Sequence, residues 1–348
     1  MSRSIRVCVW GIGAMGVGVI KALSMKKGVE ITTVIARGDK VGRRVDQIIE
    51  LLNPCGLIIQ NEEEGLSQTN ADVAILCTDS FVKTSKDKIL TCIERGMNVI
   101  SIAEEMSYPW AADKEIADLI HRKAKEYGVT VLGTGINPGF MMDALVIALT
   151  SVCTNVEKIE VSRVNSLSPF GKSVMHEQGV GISVAQFYQR QKEGTLAGHV
   201  GFDQSLAMMS EAFHTDFDKV EIKNRPIVSS INRVAPHATV DAGDVAGCDM
   251  IATAFVNDYP FITLKHPQQV EPQSEGISTG DYITIVGTPP VSMVITPEVD
   301  GGIGTIAMAI NSIPAVINAK PGIKTMLDLP LPRAILGDMR LYLEEELC

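Results

Sequence analysis

The chain has 348 residues, 45% of them hydrophobic and 21% charged, which allows two domains and excludes a disordered protein. A formal charge of −10 argues against a nucleic acid or an anionic membrane as partner. The cysteines (Cys8, Cys55, Cys77, Cys92, Cys153, Cys248 and Cys348) are odd in number and contain no C-x-x-C. Neither a disulfide framework nor a zinc site is expected, and the six histidines show no metal-ligand spacing. The N-terminal apolar run is soon broken by glycines, so it makes a poor signal peptide. No segment reads as long enough to span a membrane, and the cytoplasm is the expected location.

An apolar run of strand length, Arg6 to Trp10, leads into Gly11-Ile12-Gly13-Ala14-Met15-Gly16, and a helical pattern follows. This G-x-G-x-x-G turn between strand and helix is the pattern of a dinucleotide-binding site. Gly11 permits the tight turn, Gly13 lets the backbone approach a pyrophosphate, and Gly16 allows close helix–sheet packing. The first-turn N–H groups and the positive end of the helix dipole then face the phosphates.

A second buried strand is read at Val29–Ile35. A carboxylate after it would bind a ribose 2′-hydroxyl, whereas an arginine suits a 2′-phosphate. The chain has Arg37, which points to NADP or dual use; Asp39 leaves room for NAD, and a solvated basic loop is the competing reading. The strand at 72–77 ends in Cys77 and Thr78, where open α/β sheets bind ligands, so both are cofactor candidates. A helix to about Glu94 stops at Gly96. A strand at 98–103 precedes Glu104-Glu105, and Pro109 reads as the first residue of a helix running to about Tyr127. A strand at 129–132 enters Gly133-Thr-Gly-Ile-Asn137-Pro138-Gly139-Phe140.

The alternation predicts an α/β fold, a Rossmann-type doubly wound parallel sheet over residues 1–137. A helix is read at 141–150, another near 184–192 and an apolar one at 305–318. Strand-like segments with turns fill much of the region between, an α+β domain at 138–300 with a mostly antiparallel sheet. Gly301-Gly302-Ile303-Gly304 reads as close helix packing on the cofactor domain.

Six strings, VWGIGAMGVG (9–18), ISIAEEMSYPW (100–110), VLGTGINPGF (131–140), LSPFG (167–171), GGIGTIAMAIN (301–311) and DLPLPRAILGD (328–338), span the chain. Together they resemble the 2,4-diaminopentanoate dehydrogenase family, NAD(P)-dependent amine dehydrogenases with a dihydrodipicolinate-reductase-like fold. The paired-histidine motif and P-S-G-T ending of dihydrodipicolinate reductases are absent. The resemblance implies oxidative deamination of a small amino-acid substrate at C4 with NADP or NAD. It also implies a middle domain for substrate and dimerisation, giving a homodimer, and a segment at 301–348 that returns to the nucleotide domain.

That chemistry needs a base beside the amine carbon and groups for the amino-acid end. Glu104 is the candidate base, with Glu105 as the fallback. Asn137 is the candidate hydrogen-bond donor or acceptor for the nicotinamide amide or the substrate. Arg163, Asn165, Ser168 and Lys172 are candidates for the carboxylate end, and His176 and His199 for donors or proton relays.

Overall fold

The computed structural model describes residues 3–344; Cys348 lies outside the described residues. Two compact units divide the chain: Met1–Phe140 with Asp203–Met208 and Asp300–Cys348, and Met141–Phe202 with Met209–Val299.

The first unit begins β1 (Ile5–Trp10), α1 (Ala14–Leu23), β2 (Val29–Ile35), α2 (Val45–Ile48), α3 (Glu62–Gln68), β3 (Val73–Leu76), α4 (Val82–Glu94), β4 (Asn98–Ser101), α5 (Lys114–Glu126) and β5 (Thr130–Gly133). β1, β3, β4 and β5 are short, apolar and almost wholly buried, as strands covered on both faces must be. Ile89, Cys92 and Ile93 of α4 join Ala117, Ile120 and Ala124 of α5 in the core beneath the sheet. Full burial of each larger apolar side chain contributes about 1.5–3 kcal/mol. Gly96, at φ +70°, ends α4 in the left-handed conformation expected of a glycine there. Pro109 behaves differently from its reading: it opens a separate 3-10 turn (Pro109–Ala111). α5 starts only at Lys114, because the Asp113 side chain accepts from Ile116 N and captures the helix N-terminus.

The second unit carries α6 (Ala144–Thr150), β6 (Asn155–Ser166), α7 (Lys172–Glu177), α8 (Val184–Lys192), β7 (Lys219–Val228), β8 (Arg233–Ala235), β9 (Ala238–Val240), β10 (Val245–Val256), β11 (Tyr259–Gln269), β12 (Gly280–Thr288) and β13 (Val291–Ile295). Between α8 and β7 lies α9 (Phe202–Phe213), whose residues 203–208 belong to the first unit. Ser183 and Gln186 form a capping box that starts α8. Six strands pair in the order β13-β12-β6-β11-β10-β7. Every pair is antiparallel except β6 with β11.

The chain closes with α10 (Gly301–Asn311), α11 (Ile313–Asn318) and β14 (Gly322–Lys324). β14 pairs in parallel with β5 and completes a six-stranded sheet, β14-β5-β4-β3-β1-β2. α10 begins earlier than the periodicity predicts, because Asp300 Oδ1 accepts from Ile303 N and makes the glycine run a first helical turn. A Cβ on Gly18 of α1 would lie 2.2 Å from Ile306 Cδ1, so these two helices pack closely. By length and composition Gly301–Asn318 is apolar enough to cross a membrane, with a mean hydropathy of 1.3. This corrects the reading that no segment approaches that length. Met308, Ala309, Ile310, Ile313 and Val316 of this run are buried in the core.

Candidate active site

The glycine turn has the shape of an anion cradle. Gly11 adopts φ +100°, and a Cβ there would meet Cys77 O and Thr78 Cγ2, each at 2.7 Å. Nothing lies within 4 Å of a Cβ built on Gly13, so the turn is open at that point. Gly16 is needed for a reason nearer than the sheet: its Cβ would fall 1.7 Å from Gly11 O, inside the turn itself. No side chain caps α1 and its first turn holds no acid, which leaves the helix end to a ligand phosphate. Open space at Gly13, an uncapped dipole and no opposing charge all suit a dinucleotide.

Cys77 adjoins the turn through its carbonyl, and burial pushes its thiol up to about 12, so it stays uncharged. Thr78 donates to Asp79 Oδ2 at 2.5 Å, and Lys88 Nζ donates to the same oxygen at 2.6 Å. Burial opposes the Asp79 charge, yet these hydrogen bonds hold its carboxyl below the usual range. Arg37 is exposed at the end of β2, before the 3-10 turn Gly38–Lys40. Lys40, which periodicity and motif did not single out, reaches back and donates to Ile12 O at 2.8 Å. It brings a cation onto the glycine turn.

The loops after β3, β4 and β5 meet. Glu105 N donates to Ser80 O at 3.1 Å, and the Glu105 carboxylate accepts from Val82 N at 2.7 Å. Glu105 is thereby committed to the α4 N-terminus. Glu104 opens the 3-10 turn Glu104–Ser107 and is half-buried. That turn rests directly on Gly133 of β5, where a Cβ would come within 1.9 Å of Met106 O. Asn137 sits in the curl after β5, half-buried before a cis Pro138. Gly139, at φ +121°, folds the curl back on Gly135 N, while Ile136 N donates to Thr305 Oγ1 of α10 at 3.1 Å.

In the second unit three of the expected residues come together. Arg163 is buried, its guanidinium engaged by Asp281 and by Val299 O. The guanidinium expected to face a substrate carboxylate thus has two of its N–H groups spent inside the protein. Asn165 Oδ1 and His266 Nε2 lie 3.1 Å apart, and the His266 ring stacks on His199 at 4.5 Å. Burial, and then the Arg163 charge, push His199 down to about 3. His266 is lowered by burial, by His199 and by Arg163. Both imidazoles are therefore neutral near pH 7.

Ser168 and His176 are engaged elsewhere. Ser168 Oγ bonds Ser166 Oγ and accepts from Glu271 N at 2.9 Å, bracing a strand end. His176 is exposed on α7, with Nδ1 at 3.4 Å from Arg190, and Lys172 is exposed at the start of the same helix. His266 and Asp281 escaped sequence reading because their strands look like ordinary sheet; only the pairing of distant strands puts Asp281 opposite Arg163 and brings the His266 side chain to Asn165. Among the described residues, no three His, Cys, Asp or Glu side chains gather as metal ligands.

Residues 140–345 match the family model described as the 2,4-diaminopentanoate dehydrogenase C-terminal domain. A 2,4-diaminopentanoate dehydrogenase from Acetoanaerobium sticklandii is 48% identical over 349 aligned positions, covering 99% of this chain and 98% of that one. An amine dehydrogenase from Streptomyces virginiae is 21% identical over 95% of this chain and 98% of its own. Among solved structures, the amine dehydrogenase from Mycobacterium smegmatis superposes with a TM-score of 0.86 at 26% identity, covering 96% of this chain and 98% of that one. The chain is an NAD(P)-dependent oxidoreductase acting on amines, and it belongs to the 2,4-diaminopentanoate dehydrogenase family.

Proposed function

We propose that the protein oxidatively deaminates (2R,4S)-2,4-diaminopentanoate at C4, giving 2-amino-4-oxopentanoate, ammonia and NAD(P)H. The observation that carries this reading is 48% identity over 99% of the chain to an enzyme of that name. The balance is one substrate ammonium, one water and one NAD(P)⁺ giving one ketone, one ammonium, one NAD(P)H and one proton.

With the dinucleotide's pyrophosphate on the glycine turn, its nicotinamide would supply the hydride acceptor. The protein's own residues then have four tasks. The first-turn N–H groups of α1, with Gly13 open beside them, hold the pyrophosphate. Arg37 and Lys40 add positive charge near the adenosine end, consistent with NADP or dual use. Glu104 takes the ammonium proton, which frees the amine lone pair, and later polarises the water that attacks the substrate iminium. Asn137 hydrogen-bonds the nicotinamide amide or the substrate. Asn165 and His199 are the proposed contacts for the amino-acid end.

We also infer a cytoplasmic homodimer. Val286 and Val294 are exposed on one sheet face of the second unit, and they support a contact with a second copy. Light scattering of the purified protein giving a monomer mass would remove that inference.

The test follows NAD(P)H formation over a panel of amines. Turnover of 2,4-diaminopentanoate, with little on amines lacking a carboxylate, is expected; silence with both coenzymes would overturn the proposal. Glu104→Gln should lower kcat by about 10²–10⁴ and leave NADPH affinity unchanged. A near-normal kcat would retire Glu104 as the base.

A further inference from the structure

One face of the second sheet changes character along its length. Residues paired across strands show their side chains on the same face, so Ile159 and Val161 of β6 line up with Ile262 and Leu264 of β11. Two steps further the face turns polar, with Asn165 opposite Gln268 and Gln268 opposite Cys248. Most polar groups in this patch are already engaged. Asp281 and Val299 O hold Arg163, His266 faces Asn165, and Cys248 Sγ donates to Gln178 Oε1 at 2.8 Å.

Gln268 differs from its neighbours. The residue is 6% exposed, yet its Nε2 meets no hydrogen-bond acceptor. An amide donor buried without a partner is costly, and native structures keep one where something else completes it. The surroundings favour an anion: Arg163 is paired with Asp281, but its positive field still reaches both His199 and His266.

We infer that Gln268 Nε2 donates to the substrate's carboxylate, making Gln268 a specificity-determining residue for amines that carry an acid group. The inference rests on the deaminase reading above. It also explains how a site whose arginine is already neutralised still recognises an amino acid. The carboxylate meets a neutral donor in a positive field, and no second buried charge is needed.

Gln268→Met keeps the volume and removes the donor; Gln268→Glu replaces it with a repelling oxygen. Without ligand, Gln268→Met should melt at the wild-type temperature or above, because it deletes an unmet donor. Saturating 2,4-diaminopentanoate should raise the melting temperature of the wild type more than that of the variant. KM for 2,4-diaminopentanoate should rise about tenfold or more at little change in kcat, and further in Gln268→Glu. The binding constant for 1,3-diaminobutane, the same amine without its carboxylate, should stay put, measured as substrate or competitive inhibitor. An equal loss for both ligands, no loss for either, or a lowered melting temperature in Gln268→Met would overturn the role. Wild-type protein that fails to turn over 2,4-diaminopentanoate would instead remove the deaminase reading beneath it.

Discussion

At the scale of single residues, two cations near the glycine turn have different work. Arg37 stands exposed where β2 ends, whereas Lys40 is bonded to Ile12 O. The guanidinium suits a 2′-phosphate, which only NADP carries. Lys40 instead ties the loop after β2 to the turn that every dinucleotide uses. Arg37→Ala should therefore weaken NADPH by about tenfold and NADH little, while Lys40→Ala should weaken both alike. Fluorescence titration with the two reduced coenzymes checks this; an equal effect of Arg37→Ala on both would end its 2′-phosphate role. Arg37 was legible from its position after a strand. Lys40 was not, because nothing in the local sequence says that its ammonium returns across the sheet edge. The tie between Glu105 and the start of α4 was equally closed to sequence. No local pattern records that the Glu105 carboxylate accepts from Val82 N.

At the scale of elements, the position of Glu104 depends on how its 3-10 turn meets β5. A Cβ on Gly133 would strike the Met106 carbonyl and the Ser107 nitrogen, both backbone atoms that no rotamer can move. Gly133→Ala should displace the turn by a few tenths of an ångström to an ångström. It should lower kcat by up to about 10² and stability by about 1–3 kcal/mol. Coenzyme affinity should not change, since the glycine turn lies elsewhere; a normal kcat would show that the turn tolerates the shift. Sequence could show Gly133 only as part of a loop after a strand. Elements with their own caps were easier: α8 runs Val184–Lys192, the span its pattern predicts, because Ser183 and Gln186 declare its start. Pro109 misled because a proline at the start of a helical pattern signals α-helix and a 3-10 turn equally well. Asp113 decided between them.

At the scale of the whole molecule, the buried histidines link stability to pH. His199 is lowered to about 3 and His266 well below its ordinary value of 6.5. Below 6.5 the unfolded chain binds protons that the native state refuses, so protonation favours unfolding. Stability should fall steadily from about pH 6.5 toward pH 3, starting above the range where Asp72 and Asp79, also held low, begin to contribute. Urea denaturation at pH 7, 6 and 5 measures the slope, and His266→Gln should flatten it. A flat profile from pH 7 to 5 in the wild type would mean that the histidines gain no protons on unfolding.

The nucleotide turn, the alternation that builds a parallel sheet, the acid pair after β4 and the family are all legible along the chain. Each is carried by neighbours along the chain, where periodicity, capping and glycine conformations act within a few residues. Tertiary packing alone puts Glu105 at the start of α4, spends two Arg163 N–H groups on Asp281 and Val299 O, stacks two histidines and leaves the Gln268 donor without an acceptor. Those facts come from strands far apart in sequence being brought into register. Burial then turns a missing partner into a cost, and no local pattern records that register.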